Sequence, residues 1–121
     1  MTNPNIYNVT DITGETEFKN ITTGNYSDHT LLSSVVPTDY VYKINTILAA
    51  NIGTSNCTLS LSYYDGTTDY PIAHEIVIPP GSSLAIIGKD TPIYVLETHN
   101  LRAERSGSDA TITVSYEKIK D

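Results

Sequence analysis

Three histidines are the side chains best suited to metal binding or acid–base catalysis, and they lie far apart in the sequence. His29, His74 and His99 each lack a second His or Cys at the short spacing that zinc sites show. His74 and Glu75 adjoin in an extended stretch, so their side chains point to opposite faces. Glu97 and His99 could share a face, but one pair is too little for a site. We therefore expect no metal and no cofactor.

Candidate nucleophiles also lack partners in the sequence. Ser82 and Ser83 follow a glycine, but no G-x-S-x-G elbow is present. Cys57 is the single cysteine, which excludes an internal disulfide, and its place at the start of a strand pattern indicates a half-buried side chain. Any two of the fourteen carboxylates could form a glycosidase pair, but Trp, on which such clefts stack sugars, is absent. We expect the protein not to be an enzyme.

The charge and composition narrow the classes of partner. The net charge of -7 argues against nucleic acid and against an anionic membrane, since both attract basic surfaces. Nine tyrosines, with one Phe and no Trp, suit surfaces that are half wet or buried in an interface. The first ten residues lack the basic and apolar regions of a signal peptide, so we expect synthesis in a cytoplasm.

The elements that must position these side chains all have the pattern of β-strands. Short apolar or alternating runs, rich in β-branched residues, recur about every ten residues between turn signals. Proline at the corners and Asp65-Gly66 at a hairpin turn fit this pattern. The sequence predicts an all-β fold, a single jelly-roll-like β-sandwich of about eight antiparallel strands. The predicted strands are 29–36, 40–50, 57–64, 69–78, 82–88, 91–96, 101–106 and 110–117. In the polar stretch before them, residues 18–23 could extend as a further strand.

Two of these stretches carry a more detailed expectation. Within 40–50, alternation predicts that Ile44 and Leu48 share one face and that Lys43 lies on the other. Residues 76–96 contain three apolar runs separated by proline turns, a pattern typical of buried strands. The rest of the sandwich is expected to pack around this piece.

The first part of the chain is more polar than the rest. Residues 1–24 are predicted to form an extended N-terminal arm, and residues 25–121 the sandwich domain. Apolar residues spaced along the arm fit either a frayed terminus or an arm that orders across a neighbouring subunit. The residues predicted to make interfaces are Ile6, Tyr7, Val9, Ile12, Phe18, Tyr64 and Tyr70.

Residues 76–97 read IVIPPGSSLAIIGKDTPIYVLE, and the closing stretch of the chain reads TITVSYE. The first is similar to the VPxxSxLxIIxKDxPIYLxE block, and the second to the last strand, of the short all-β virion structural proteins of tailed bacteriophages, cyanophage-like ones in particular. The chain resembles that family between Tyr42 and Glu117. The resemblance covers nearly two thirds of the chain and leaves the first forty residues out.

What the resemblance implies is a structural role in a virion that is assembled in the host cytoplasm. We expect a decoration or cement protein of the capsid, and the alternative is an adaptor of the neck, tail or a fibre. The implied partners are the major capsid protein or other virion proteins, together with further copies of this chain, a trimer being favoured. A third hypothesis, from the residues alone, is a carbohydrate-binding module that uses exposed tyrosines such as Tyr63, Tyr64 and Tyr70.

Overall fold

The computed structural model describes residues 11–33, 35–88 and 90–120. Their backbone forms eight strands and one short 3₁₀ helix, Tyr26–Asp28. The strands are β1 (Asp11–Ile21), β2 (Tyr40–Asn51), β3 (Cys57–Tyr64), β4 (Asp69–Ile78), β5 (Ser83–Ile87), β6 (Ile93–Val95), β7 (Asn100–Gly107) and β8 (Ala110–Lys120).

The strands form two antiparallel sheets. Sheet A has the order β1-β8-β2-β5, and β6 pairs with β2 on the same side as β5. Sheet B has the order β4-β3-β7. Every strand pair in both sheets is antiparallel. The predicted all-β sandwich is therefore confirmed.

The segment of residues 23–33, which has no regular strand structure, takes a fourth position in sheet B, beside β7. Its backbone bonds to β7 at three described points, among them Leu31 N–H to the Leu101 carbonyl at 2.8 Å. The Asn100 side-chain amide also bonds to the N–H and the carbonyl of Leu32. These two side-chain hydrogen bonds replace the backbone bonds that a strand pair would make there. The sequence predicted a strand at 29–36, but the structure shows an isolated bridge, Thr30 to Arg102. With this segment the two layers have jelly-roll order.

The core lies between the two sheets and consists of β-branched and leucine side chains from both. Leu59 and Leu61 of β3 and Ile112 and Val114 of β8 are almost fully buried, as alternation predicted. The inward positions of sheet A are filled by Ile21, Tyr42, Ile44, Ile47, Ala49, Val95, Ala110, Ile112, Val114 and Tyr116.

A β-bulge in β2 reverses the predicted alternation along that strand. The pairing of β2 with β8 shifts between Ile44 and Thr46, so one extra residue enters β2 there. Beyond the bulge Ile47 points inward and is fully buried, whereas Leu48 points outward and is 43% exposed. The prediction that Ile44 and Leu48 share a face was wrong, because a bulge moves every following side chain to the other face.

Residues 11–21 of the predicted arm form β1 and belong to the sandwich. They pair with β8 without a register shift from Asp11 to Ile21, and the Ile21 side chain is fully buried in the core. The chain therefore joins the sheet about a dozen residues before the boundary at 24 that the sequence predicted. Residues 1–10 lie outside the described residues, and an arm there stays a prediction.

Residues 76–96 form strands as predicted, but these strands are largely exposed. Val77, Leu84 and Tyr94 are 56%, 37% and 43% exposed. The strands concerned, β4, β5 and β6, all lie at sheet edges. An apolar run at an edge has few neighbours to cover it, so the expectation of buried strands was wrong here.

Candidate functional site

The outward face of sheet A is a broad surface that five described strands supply, and we call it the A face. The pairings of β1, β8, β2, β5 and β6 align its residues in rows. One row runs Phe18, Thr113, Leu48 and Ala85 across the sheet. The A face consists of Ile12, Gly14, Thr16, Phe18, Asn20, Val41, Lys43, Thr46, Leu48, Ala50, Ser83, Ala85, Tyr94, Thr111, Thr113, Ser115, Glu117 and Ile119.

Large apolar side chains on the A face are exposed to solvent. Phe18 is 70% exposed, Ile12 57%, and Leu48 and Tyr94 43% each. Together they project from three strands, β1, β2 and β6. Single exposed apolar residues are ordinary, but several on one sheet face form a patch of the kind that marks contact with another protein.

The polar groups of the A face are mostly neutral and bonded to each other. Thr16 and Ser115 hydroxyls lie 3.2 Å apart, and the Thr111 hydroxyl donates to the Asn20 side chain at 2.8 Å. Glu117 accepts a 2.9 Å hydrogen bond from the side chain of Asn45, the residue inside the bulge. Lys43 and Glu117 are the two charged members, so the face is neutral on a chain of net charge -7.

Side chains on the inward side of β1 fasten this strand to β8. Glu15 and Lys118 form a 2.8 Å ion pair, and the hydrogen bond to Glu15 raises the pKa of Lys118. Glu17 accepts a hydrogen bond from the Tyr116 hydroxyl. Burial, followed by this bond to Glu17, raises the pKa of Tyr116 far above its usual range. These contacts hold β1, and with it Ile12 and Phe18, on the A face.

The histidines take structural positions. The Nε2 of His29 accepts the Thr22 N–H at 3.0 Å, so its Nδ1 carries the proton and donates to the Ala103 carbonyl at 3.1 Å. The Nδ1 of His99 lies 2.6 Å from the Tyr63 hydroxyl. Within residues 11–33, 35–88 and 90–120, His, Cys, Asp and Glu side chains form no group of three that could hold a metal ion.

The outward face of sheet B is polar and is occupied by its own contacts. The guanidinium carbon of Arg102 lies 3.8 Å from the centre of the Tyr64 ring, and its Nε donates to the Tyr26 carbonyl at 3.3 Å. The Ser62 hydroxyl donates to Asp69 at 2.8 Å. Burial, and then the nearby Glu104, raises the pKa of Tyr26. Beside these residues lies an open cavity of about 150 Å³, lined by Gly24, Thr58, Ser60, Glu75, Glu104, Arg105 and Ser106.

The structure separates the interface residues that the sequence predicted. Ile12 and Phe18 lie together on the A face, as described above. Tyr64 lies on the outward side of sheet B beneath Arg102, and Tyr70 is 54% exposed on β4. Ile6, Tyr7 and Val9 fall outside the described residues. Whether any of these residues makes an interface stays a prediction.

The three tyrosines of the carbohydrate hypothesis do not form one platform. Tyr63 pairs with Tyr70 across β3 and β4, so both belong to the inward face of sheet B. The Tyr63 hydroxyl accepts the Leu96 N–H at 3.1 Å, which fixes that ring within the fold. Tyr64 points to the other face, where Arg102 already covers one side of its ring. A sugar could not stack on these rings together.

Sequence reasoning missed Leu48 and Tyr94 as members of the exposed patch. Leu48 was expected to share a face with Ile44, and the bulge at Asn45 overturns that expectation. A signal for the bulge was present, since the alternation in 40–50 breaks where Ile47 and Ala49 become apolar. Tyr94 lay in an apolar run that was expected to be buried, although Pro92 in the same predicted strand is a signal for a strand end or an edge.

Comparisons with known proteins found no matching family model and no matching curated protein. The search of solved structures found similarity to a chain in the structure of infectious bursal disease virus, Gt strain, with a TM-score of 0.39 and 11% sequence identity. The aligned region covers 93% of this chain and 38% of that chain. At this level of similarity the two chains need not share a fold, so the function has to be argued from this chain's own residues.

The described part of the chain contains no helix of the length and apolarity that a bilayer crossing requires.

Proposed function

We propose that this protein is a non-enzymatic structural protein of a virion, a decoration or cement protein that binds the capsid through the A face. The observation that carries the proposal is the neutral, partly apolar A face on a strongly acidic chain. The resemblance of residues 42–117 to small virion proteins of tailed bacteriophages supplies the context. Neither the cavity on sheet B nor the histidines offers a more specific chemistry.

The A face fits a protein partner better than it fits nucleic acid or an anionic membrane. Interface centres are depleted of charge and enriched in aromatic side chains, and this face has two charges and the rings of Phe18 and Tyr94. Nucleic acid and anionic lipid would both be repelled by a net charge of -7. We therefore propose the major capsid protein, or another virion protein, as the partner.

The size of the A face sets a limit on the strength of one contact. Three strands of roughly ten residues, with β5 and β6 sharing a fourth position, lie about 4.8 Å apart and give a face of about 600 Å². A stable interface usually takes about 800 Å² from each partner. Firm attachment therefore needs additional contacts, which residues 1–10, with Ile6, Tyr7 and Val9, or further copies of the chain would supply.

Binding to purified heads tests the role of the A face. Leu48→Asp and Tyr94→Asp each place a charge in the neutral patch, at positions that are already partly exposed. Each should weaken binding to heads that lack the protein about ten-fold or more, whereas Val77→Asp on β4 should not. Equal binding by all three variants would exclude the A face as the contact.

Location in the particle separates decoration from the alternative role in the neck, tail or a fibre. A decoration protein is present in many copies over the whole shell. An adaptor is present in a few copies at one vertex or along the tail. Quantitative mass spectrometry of purified particles, with antibody labelling in the electron microscope, distinguishes the two. A few copies at a single vertex would replace the decoration role with the adaptor role.

A further inference from the structure

The edges of the two sheets differ in how far they are protected from pairing with another chain. An unpaired strand edge is a template for another strand, and proteins block such edges with prolines, bulges, charges or a covering segment. In sheet B, the segment beside β7 covers one edge through backbone hydrogen bonds. At the other edge, β4 contains Pro71, two register shifts and a left-handed Glu75 with φ 52°. Both edges of sheet B are therefore blocked.

The two edges of sheet A contrast with each other. On one side β5 and β6 have five and three residues, and a register shift interrupts the pairing of β5 with β2. On the other side β1 has eleven residues, pairs with β8 without interruption and contains no proline. Its residues are mostly exposed, and within the described ranges nothing pairs with its outer edge. The long, regular edge of β1 is open.

We propose that β1 pairs antiparallel with β1 of a second copy of this chain, about a two-fold axis at Glu15. The two A sheets then join into one continuous sheet across the axis. A two-fold axis brings the same patch of both copies together, as in most homodimers. This pairing involves only copies of the chain itself, so it can be tested on the purified protein. The result does not depend on the proposed role in a virion.

The position of the axis follows from side-chain complementarity along β1. With the axis at Glu15, Asp11 lies opposite Lys19 of the second copy. Ile12 lies opposite Phe18, so the two most exposed apolar residues of the strand meet on the A face. Opposite charges and apolar pairs directly across an antiparallel ladder are stabilising. By symmetry each of these pairs occurs twice.

The central pair in this arrangement is Glu15 with its own copy. Like charges opposite each other are destabilising. Each Glu15, however, is already neutralised by Lys118 of its own chain at 2.8 Å, and the hydrogen bond keeps Lys118 charged by raising its pKa. The centre of the interface therefore has two ion pairs side by side instead of two bare carboxylates.

The neighbouring registers are less favourable. An axis that falls between two residues would set an inward-facing residue of one copy opposite an outward-facing residue of the other. The two joined sheets would then have no continuous inner and outer face. An axis at Thr16 sets Glu15 opposite Glu17 twice. An axis at Glu17 sets this carboxylate against its own copy, and its described partners, Tyr116 and Ser33, are uncharged donors. That axis also places Ile12 opposite residue 22, beyond the end of β1.

Single-cysteine variants test the register directly. In a Cys57→Ala background, Glu15→Cys, Thr16→Cys and Glu17→Cys each introduce one thiol on β1. Side chains directly opposite in a ladder have Cβ atoms about 5 Å apart, whereas diagonal neighbours are about 7–8 Å apart. The axis at Glu15 predicts a disulfide-linked dimer, under mild oxidation, for Glu15→Cys and little for the others. Preferential crosslinking of Thr16→Cys or Glu17→Cys would overturn the register.

A charge exchange tests the contact without a crosslink. Asp11→Lys alone and Lys19→Asp alone each place like charges opposite each other twice. Each should lower the dimer association constant about ten-fold, because two symmetry-related pairs change sign together. The double variant keeps the net charge of the native chain and should restore association. Val77→Lys, on the blocked edge of β4, is the control and should leave association unchanged.

Sedimentation equilibrium of the native protein and these variants gives the mass and the association constant. The proposal predicts twice the 13.2 kDa of one chain, whereas the sequence favoured a trimer. A single-chain mass at all concentrations, or a trimer, would overturn the proposal. So would a double variant that associates no better than the two single variants.

Discussion

Glu17 of β1 and Tyr116 of β8 form a hydrogen bond of 2.5 Å between carboxylate and hydroxyl oxygens. Tyr116 is 3% exposed, so its hydroxyl has little access to water as a substitute partner. The same carboxylate accepts the Ser33 N–H at 3.1 Å. One side chain thus connects β1, β8 and the segment beside β7. This gives the edge strand β1 a long-range contact within its length.

Removing the two partners of this hydrogen bond should have unequal effects on stability. Glu17→Ala leaves the buried Tyr116 hydroxyl without its acceptor and should cost about 1–3 kcal/mol, whereas Tyr116→Phe should cost about 1 kcal/mol. Urea unfolding of both single variants and the double variant gives the coupling energy. Strictly additive effects would show that the bond contributes nothing.

His29 should be one of the most sensitive polar positions in the chain. It is 2% exposed and bonded at both ring nitrogens, so His29→Phe leaves the Thr22 N–H and the Ala103 carbonyl unpaired. One buried and one partly buried unpaired group should together cost about 2–4 kcal/mol in the free energy of unfolding. His74→Phe is the control, because that ring is 66% exposed and should tolerate the change. Equal stability of the two variants would contradict the role of His29.

Asp65 should contribute to the acid sensitivity of the β3–β4 hairpin. Its carboxylate accepts the N–H groups of Thr68 and Thr67 at 2.7 and 2.9 Å, and these bonds hold its pKa below the usual 3.8. A pKa that is lower in the folded state gives a stabilisation that is present above 3.8 and is lost as the pH falls through the folded-state pKa.

Unfolding of the native protein and Asp65→Ala across this pH range tests that contribution. The difference between them should be largest near neutral pH and shrink below pH 3.8. Asp65→Asn keeps an acceptor oxygen but does not titrate, so its stability relative to Asp65→Ala should not change over the same range. A native-to-Ala difference that is constant with pH would refute the effect.

Truncation should show that residues 1–10 and β1 contribute differently to folding. Removing residues 1–10 leaves every described contact of the sandwich in place and should keep a cooperative thermal transition. Removing residues 1–24 deletes β1, the buried Ile21 and the bond to Tyr116. Loss of one buried Ile side chain alone costs about 2–5 kcal/mol, so the longer deletion should prevent folding. Circular dichroism melts of the two truncated proteins show whether each one folds cooperatively, and a cooperative transition in the longer deletion would contradict the prediction.

Two glycines in strands should respond in opposite ways to alanine. Gly107 has φ +82°, and an added Cβ would overlap the Asn56 carbonyl, so Gly107→Ala should be strongly destabilising. Gly14 has free space around an added Cβ, so Gly14→Ala should be neutral or stabilise by about 0.4–1 kcal/mol. Denaturant midpoints of the two variants provide the comparison, and similar losses would contradict it.

Local pattern was enough to predict the strands whose side chains alternate. Leu59 and Leu61 in β3, and Ile112 and Val114 in β8, lie where period-two alternation places them, because both strands are central and have a neighbour on each side. The Asp65-Gly66 turn also follows from local chemistry, since Gly66 has φ +97°. For these strands and this turn, the residues adjacent in the sequence are enough to predict the structure.

The errors arose where distant parts of the chain decide the outcome. Asn45 becomes a bulge because β2 pairs with β8 more than sixty residues away. Residues 29–36 lose their ladder because Asn100 supplies the hydrogen bonds instead. The A face could not be predicted as a unit, since it is assembled from strands at both ends of the chain and depends on their register.

The segment beside β7 also has a consequence for how far assembly can proceed. If both edges of the molecule accepted strands, copies could add one after another and grow into fibres. Here the chain occupies the β7 edge with its own backbone, and Pro71 and the irregular β4 close the opposite one. Pairing at β1 then uses up the remaining long edge among the described strands. Growth by strand addition should stop at two copies, so the concentrated protein should stay soluble.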